Sequence, residues 1–286
     1  MSVAQGTSRT TARRLEHFLT YLLLVTGGVV ICIPFFWMIS TSLKQQMDVY
    51  LFPPQWIPEP VQWDNYRQVM TFWPFWTYVG NSVFVSVGSI VGKLIASSLA
   101  AYGFARLRAR GRDVIFVILL STMMLPSQVT LIPQFILFSK LRWIDSFKPL
   151  VVPAFFLGPF YVFLLRQFFM TISFELEDAA RMDGCNSLQV FYRVILPLSM
   201  PALAIVAIFE FRGRWNDFLE PLIFLNSPSK RTLALALQFF QGSEGVLPQL
   251  HLLMAASFLS MVPLLVLFTV AQKRFIQGIV FTGIKG

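Results

Sequence analysis

Six stretches of the chain run for about 20 residues or more with few charges, and each is long enough to cross a bilayer core about 30 Å thick as a helix. They extend roughly from His17 to Ser40, Val79 to Phe104, Val114 to Phe138, Leu150 to Phe169, Val194 to Leu225 and Leu252 to Ala271. Inside hydrocarbon no water is present to satisfy a backbone amide, so runs of this length are expected as helices. The expected fold class is therefore all-α: a polytopic membrane protein with six transmembrane helices. Composition agrees, because 56% of the 286 residues are hydrophobic, only 13% are charged and the mean hydropathy is +0.65. Pro34, Pro126, Pro133, Pro153 and Pro159 fall inside the stretches and are expected to mark bends, since neighbouring helices can satisfy the carbonyls they free. The first stretch follows Arg9, Arg13 and Arg14, as a secretory signal does, but its apolar part is longer and no small-residue cleavage site follows. It is expected to remain as an anchor.

The formal charge of +9 does not indicate nucleic acid, because the 23 basic residues are scattered among apolar segments and form no continuous stripe. They sort by side instead. Arg9, Arg13, Arg14, Arg106, Arg108, Arg110, Arg112, Arg166, Arg181, Arg193, Lys273, Arg274 and Lys285 fall on one side of the six-span arrangement. Lys44, Arg67, Lys140, Arg142, Lys148, Lys230 and Arg231 fall on the other, over a greater length. Positive charge collects in the cytoplasm, so both termini are expected there, with the 43–78 and 226–250 loops outside. The expected organisation is a tail over 1–16, a membrane domain over 17–275 with a cytoplasmic loop at 171–193, and a tail over 276–286. Lys93, Arg212 and Arg214 remain inside the spans. Cys32 and Cys185 lack the spacing of a disulfide framework or zinc site, and His17 and His251 lie far apart, so no metal or cofactor is expected.

"GSIVGKL" at 88–94 resembles a phosphate-binding loop only superficially. One residue is missing between the glycines, and Leu94 stands where a hydroxyl should hold magnesium. Gly88, Gly92 and Ala96 repeat every four residues instead, which suits close helix packing in lipid. With no other nucleotide site in view, any use of ATP requires a partner that hydrolyses it.

"ELEDAARMDGCN", residues 175–186, is a polar stretch with four carboxylates set between two apolar runs. Ser173 can cap a helix starting at Phe174, Glu175 and Glu177 suit its positive end, and Gly184 can end it in the left-handed conformation. Leu176, Ala179, Ala180 and Met182 are expected to share one face.

"ELEDAARMDGCNSLQVFYRVILPLSMPAL", Glu175 to Leu203, resembles the EAA loop of the membrane subunits of ATP-binding-cassette importers. "SLK", "NY", "NS", "AAYGFAR", "FLLRQFF", "WNDFLEPLIF" and "FIQGIVFTGIKG" follow in the order seen in the sugar-importing, maltose-type second permease subunit. The resemblance implies a type I importer permease fold in a bacterial or archaeal plasma (inner) membrane. It implies partners too: a second, non-identical permease, two ATP-binding-cassette ATPase subunits and an extracytoplasmic solute-binding protein, with a sugar or polyol as substrate. Glu177, Asp178, Ala179, Ala180, Asp183 and Gly184 take the motif positions that couple to the ATPase. Asp178 stands where the family usually has Glu, and Cys185 where it usually has Ala. Gln241, Gly242, Ser243, Glu244 and Gly245 lie where the maltose-type subunit projects a loop into the binding protein.

"EFRGRWND", Glu210 to Asp217, places ionisable groups deep in the fifth stretch. Such groups cost at least about 2.5 kcal/mol each on insertion scales, so they pair with one another or face a water-filled cavity. As a pathway, Trp215 would offer an aromatic face to a sugar ring, while Glu210, Arg212, Arg214, Asn216 and Asp217 hydrogen-bond its hydroxyls. Arg212 and Arg214 also suit an anionic solute such as a glycerol phosphate. Two other classes compete with an importer. An ion-coupled secondary transporter working through Glu210, Asp217 and Lys93 leaves the 175–186 stretch without a purpose, and a membrane enzyme lacks any visible nucleophile and base.

Overall fold

The computed structural model describes residues 5–72, 74–241 and 248–283, and every regular element among them is helical. In chain order these are α1 (Gln5–Ser42), α2 (Asp64–Phe72), α3 (Phe75–Arg106), α4 (Arg112–Ser121), α5 (Ser127–Lys140), α6 (Lys148–Val151) and α7 (Pro159–Thr171). There follow α8 (Phe174–Met182), α9 (Ser187–Val190), α10 (Leu196–Leu198), α11 (Met200–Trp215), α12 (Leu219–Phe224), α13 (Leu233–Ala236) and α14 (Leu250–Gly283). Four segments are long and apolar enough to cross a membrane singly: Glu16–Ser42, Phe75–Arg106, Lys148–Thr171 and Leu250–Ala271. Two bent pairs, Arg112–Met124 with Gln128–Lys140 and Ser187–Leu198 with Met200–Trp215, raise the number of candidate spans to six when each pair counts as one.

Two spans depart from the straight helices expected. The third breaks at Pro126, where Leu125 is extended, because a proline removes a hydrogen-bond donor and disfavours helix in the residue before it. The fifth bends by 77° at Ser199, and it ends at Trp215 rather than at Leu225. Pro201 stands in the first turn of α11, where no intrahelical N–H is needed. At the far end the Asp217 carboxylate accepts the Glu220 N–H at 3.2 Å and starts α12 as a separate helix. Pro159 likewise begins α7, while Pro34 and Pro133 lie within α1 and α5.

The chain divides into two compact units, Met1–Phe72 with Phe239–Leu259, and Trp73–Gln238 with Ser260–Gly286. In the first, Lys44 is almost fully buried, with Nζ 4.1 Å from the centroid of the Trp37 ring. Burial lowers the pKa of this amine, against the pull of Asp48. Asn65 Nδ2 donates to the carbonyls of Ser42 and Lys44, each at 2.9 Å, and so fixes α2 against the end of α1. The "SLK" and "NY" stretches are thus the two halves of one buried polar joint.

In the second unit α3 packs most extensively against α7 and α11. Small residues permit the approach. A Cβ placed on Gly92 would lie 2.6 Å from the Phe155 ring, and one on Gly88 would lie 2.9 Å from Val151. The stretch that mimics a phosphate loop is therefore the packing face of a continuous helix. A buried cluster of Ala101, Tyr102, Val162, Leu165, Phe169, Ala180, Phe191 and Val206 fills the end of this unit that bears α8. A smaller cluster holds Val85, Phe138, Leu150 and Phe224. Near it Asp145, at φ 58°, accepts the Ser227 N–H at 2.8 Å and the Lys230 ammonium at 2.9 Å. Hydrogen bonds from Ser227, then Lys230, hold this carboxyl far below the usual carboxylate range.

The Gly92 contact can be tested directly. Gly92→Ala should destabilise the purified protein by about 1–3 kcal/mol through overpacking, read as a lower thermal midpoint in detergent, and Phe155→Leu introduced with it should restore most of the loss.

Candidate functional site

The α8 turn is built locally as its sequence dictates. Ser173 caps it, its side chain accepting the Glu175 N–H at 3.2 Å. At the other end Gly184 adopts φ 85°, its N–H donates to the Arg181 carbonyl and the Cys185 N–H donates to the Ala180 carbonyl, each at 3.0 Å. This paired closure is the Schellman arrangement, which requires a left-handed residue at its corner. Nothing lies within 4 Å of a Cβ built on Gly184, so backbone conformation and not space makes the glycine necessary. Asn186 then starts α9 with a reciprocal cap: its side chain accepts the Gln189 N–H at 2.9 Å, and the Gln189 side chain accepts the Asn186 N–H at 2.8 Å.

The buried face of α8 differs from the expected apolar one. Glu177 and Ala180 point inward at 3% and 9% exposure, whereas Leu176, Asp178, Ala179, Met182, Asp183 and Gly184 are exposed. The reason is Arg106. Its side chain is fully buried, and its Nε lies 3.0 Å from Glu177 Oε1. Its Nη2 donates to the carbonyls of Phe169 and Ile172 at the end of α7, and its guanidinium lies 4.2 Å from the Phe174 ring centroid. Burial raises the Glu177 pKa, while the Arg106 charge works in the opposite direction. Neither Arg106 nor this face of α8 was legible beforehand, because Arg106 reads as one more topological charge.

A second assembly forms around Arg214. Its Nε lies 3.2 Å from Glu210 Oε1, and its Nη1 lies 3.3 Å from Asp217 Oδ2 and 2.6 Å from Glu220 Oε2. Lys93 of α3 and Tyr161 of α7 lie close by, the Lys93 ammonium 5.9 Å from the centroid of the Tyr161 ring. One guanidinium thus meets three carboxylates, with the Lys93 ammonium in the vicinity. Sequence reasoning found Glu210, Arg214 and Asp217 as ionisable groups placed deep in one apolar stretch. Glu220 and Tyr161 escaped it, since a helix break and a different helix carry them.

The rest of "EFRGRWND" is not gathered there. Trp215 is 3% exposed, stacked on Phe211 with ring centroids 5.3 Å apart, and its Nε1 donates to the Ser260 carbonyl at 2.9 Å. Its indole is buried in this structure, contrary to the expected sugar platform, with Phe211 stacked on it and its N–H edge engaged by the Ser260 carbonyl. Asn216 is exposed and donates to the Arg212 carbonyl, and Arg212 is exposed with no ion-pair partner among the described residues. Of the expected loop, Gly242, Ser243, Glu244 and Gly245 lie outside the described residues, while the Gln241 backbone closes a short 3₁₀ turn.

Comparison with known proteins places this geometry in context. Residues 92–280 match the model of the family described as binding-protein-dependent transport system inner membrane component. The chain is 34% identical to the arabinooligosaccharides transport system permease AraQ of Halalkalibacterium halodurans, over 86% of this chain and 86% of that protein. It is 32% identical to the diacetylchitobiose uptake system permease DasC of Streptomyces coelicolor, over 88% and 91% respectively. Among solved structures it is similar to a chain of a bacterial ABC transporter involved in the import of the acidic polysaccharide alginate. That match has a TM-score of 0.80 and 26% identity, and covers 92% of this chain and 97% of that one.

Removing one partner from a buried ionic cluster strands the others. Arg214→Gln should lower stability by about 3 kcal/mol, and Arg212→Gln should change it by less than about 0.5 kcal/mol. Thermal unfolding of the purified protein in detergent measures both, and Glu210→Gln added to Arg214→Gln should recover part of the loss.

Proposed function

The chain belongs to the binding-protein-dependent transport system inner membrane component family, and from that premise we propose that it serves an ATP-driven importer of neutral sugars, as oligosaccharides, glycosides or related polyols. It is a multi-pass membrane transport subunit and not an enzyme. The reading assigns hydrolysis of ATP to two partner ATPase subunits, half of the pathway to a second permease, and delivery of solute to an extracytoplasmic binding protein. Both termini and α8 then face the cytoplasm, as the distribution of basic residues suggests.

One observation carries the coupling assignment. The Schellman closure at Gly184 holds α8 as a short helix whose outer surface exposes Leu176, Ala179 and Met182, the last at 84%. Apolar side chains so exposed at the end of a membrane bundle suit a protein cleft. Asp178, Ala179, Asp183 and Gly184 would meet the ATPase, while Glu177 and Ala180 anchor the helix from behind. An ion-coupled transporter has no use for such a surface.

The sugar class rests on a different support. The names of the two permeases cited refer to arabinooligosaccharides and diacetylchitobiose, and the similar solved transporter is involved in the import of the acidic polysaccharide alginate, so saccharides are common to all three. Arg214 is engaged by three carboxylates, which leaves an assembly with more acidic than basic groups and a poor fit for an anionic solute. Glu210, Asp217, Lys93 and Tyr161 instead offer the mixed donors and acceptors that hydroxyl groups require. Alternating exposure of this region to the two sides of the membrane would carry the solute, with Arg212 and Asn216 at its rim and Trp215 as packing behind it.

Reconstitution tests the whole reading. Vesicles holding this chain alone should take up nothing, and uptake should appear only with the second permease, the ATPase, the binding protein and ATP. A neutral oligosaccharide should enter while a phosphorylated one does not; uptake by this chain alone under an ion gradient would remove the importer.

The corner glycine gives a sharper check. A side chain forced into the left-handed region costs about 1–2 kcal/mol, with asparagine the best tolerated. Gly184→Val should therefore reduce ATP-driven uptake severely and Gly184→Asn only slightly, in vesicles matched for the amount of assembled complex.

A further inference from the structure

The inner side of α8 points to a device that the family assignment does not include. Three chain segments converge on the buried Arg106 guanidinium: the last turn of α3 that carries it, the end of α7 through the Phe169 and Ile172 carbonyls, and α8 through Glu177 and Phe174. The last carbonyls of a helix lack the usual partner within it; that of Phe169 accepts the Ile172 N–H at 3.2 Å as well as the Arg106 guanidinium, and that of Ile172, just past the helix, accepts the guanidinium. The exchange is mutual. Arg166 of α7 donates from Nε to the Phe104 carbonyl in the last turn of α3 at 3.2 Å, and its guanidinium lies 4.3 Å from the centroid of the Phe116 ring of α4. Each of the two helices therefore has its negative C-terminal end met by an arginine from the other.

We propose that Arg106 is a positioning residue for energy coupling: it makes α3, α7 and α8 move as one body, so that displacement of α8 by the ATPase reaches the spans. The inference rests on the importer reading above. Glu177 is the required counterpart, because its carboxylate is the one anionic group that α8 directs at this guanidinium. A lysine cannot replace the arginine fully. Its single ammonium lacks the planar fork that reaches two carbonyls, a carboxylate and an aromatic face together. Arg166 holds α3 to α7 independently, so loss of the Arg106 contacts should loosen α8 while leaving the helix pair packed.

The test uses the complete complex in vesicles, with Arg106→Lys, Glu177→Gln and the two combined. Solute uptake and ATP hydrolysis are measured in the same vesicles, and their ratio is the readout. Each single variant should assemble and hydrolyse ATP with the ratio lowered about tenfold, and the combined variant should be no worse than the poorer single one, as expected for two residues acting through one contact. An unchanged ratio in both single variants would overturn the proposal. So would failure of both to assemble, which would make Arg106 a folding residue only. The wild-type vesicles judge the importer reading separately: uptake indifferent to ATP there removes that reading and this joint with it, whereas a change confined to the variants bears on the joint alone.

Discussion

A backbone that crosses hydrocarbon has to satisfy its amides and carbonyls without water, and helices do this everywhere except at their ends. The fold of the second unit follows from how those ends are treated. At the α8 end, α3 and α7 finish side by side, and arginines from the opposite helix meet their last carbonyls. At the breaks within spans, prolines occupy positions where no donor is needed, and the Asp217 side chain takes over the N–H that starts α12. The bends in the third and fifth spans are thus satisfied structures in which new helices begin.

The same economy gives the basic residues two roles. Arg106 and Arg166 belong to the more basic side of the expected charge asymmetry, and Arg106, fully buried, and Arg166, mostly buried, also hold helix ends. A guanidinium can serve both purposes because its flat, weakly hydrated face packs on Phe174 or Phe116 while its edge donates hydrogen bonds. The cost of burying the Arg106 charge is offset by the Glu177 carboxylate beside Nε and by the two carbonyls that Nη2 meets.

α3 connects the two assemblies for which functional roles are proposed. Lys93 lies in the vicinity of the Arg214 cluster, 5.9 Å from the Tyr161 ring, and Arg106 reaches α8, thirteen residues or about 20 Å further along the same helix. Gly88 and Gly92 bring this helix into close contact with the segment ahead of α7. A rigid helix with a cluster at its middle and a clamp at its end is suited to transmit displacement, whereas a flexible one would absorb it.

Much of this was legible in the sequence. Long apolar runs determined the helical class and the six spans, because hydrocarbon leaves no alternative. Ser173 and Gly184 determined the limits of α8, because capping and the left-handed corner are local interactions between residues close in sequence. The spacing of Gly88, Gly92 and Ala96 announced a packing face for similar reasons. What the sequence could not decide depends on residues brought together from different helices. Arg106 and Glu177 are separated by 70 residues, and only the packing of α3 on α7 makes them neighbours. Glu220 joins Arg214 only because the chain turns at Asn216, and Trp215 is lost to the core because Ser260 lies beside it. Local rules of helix and cap act over a few residues and can be read along the chain; the burial of a charge or the availability of an aromatic face is a property of the surroundings, which exist only once the helices have packed.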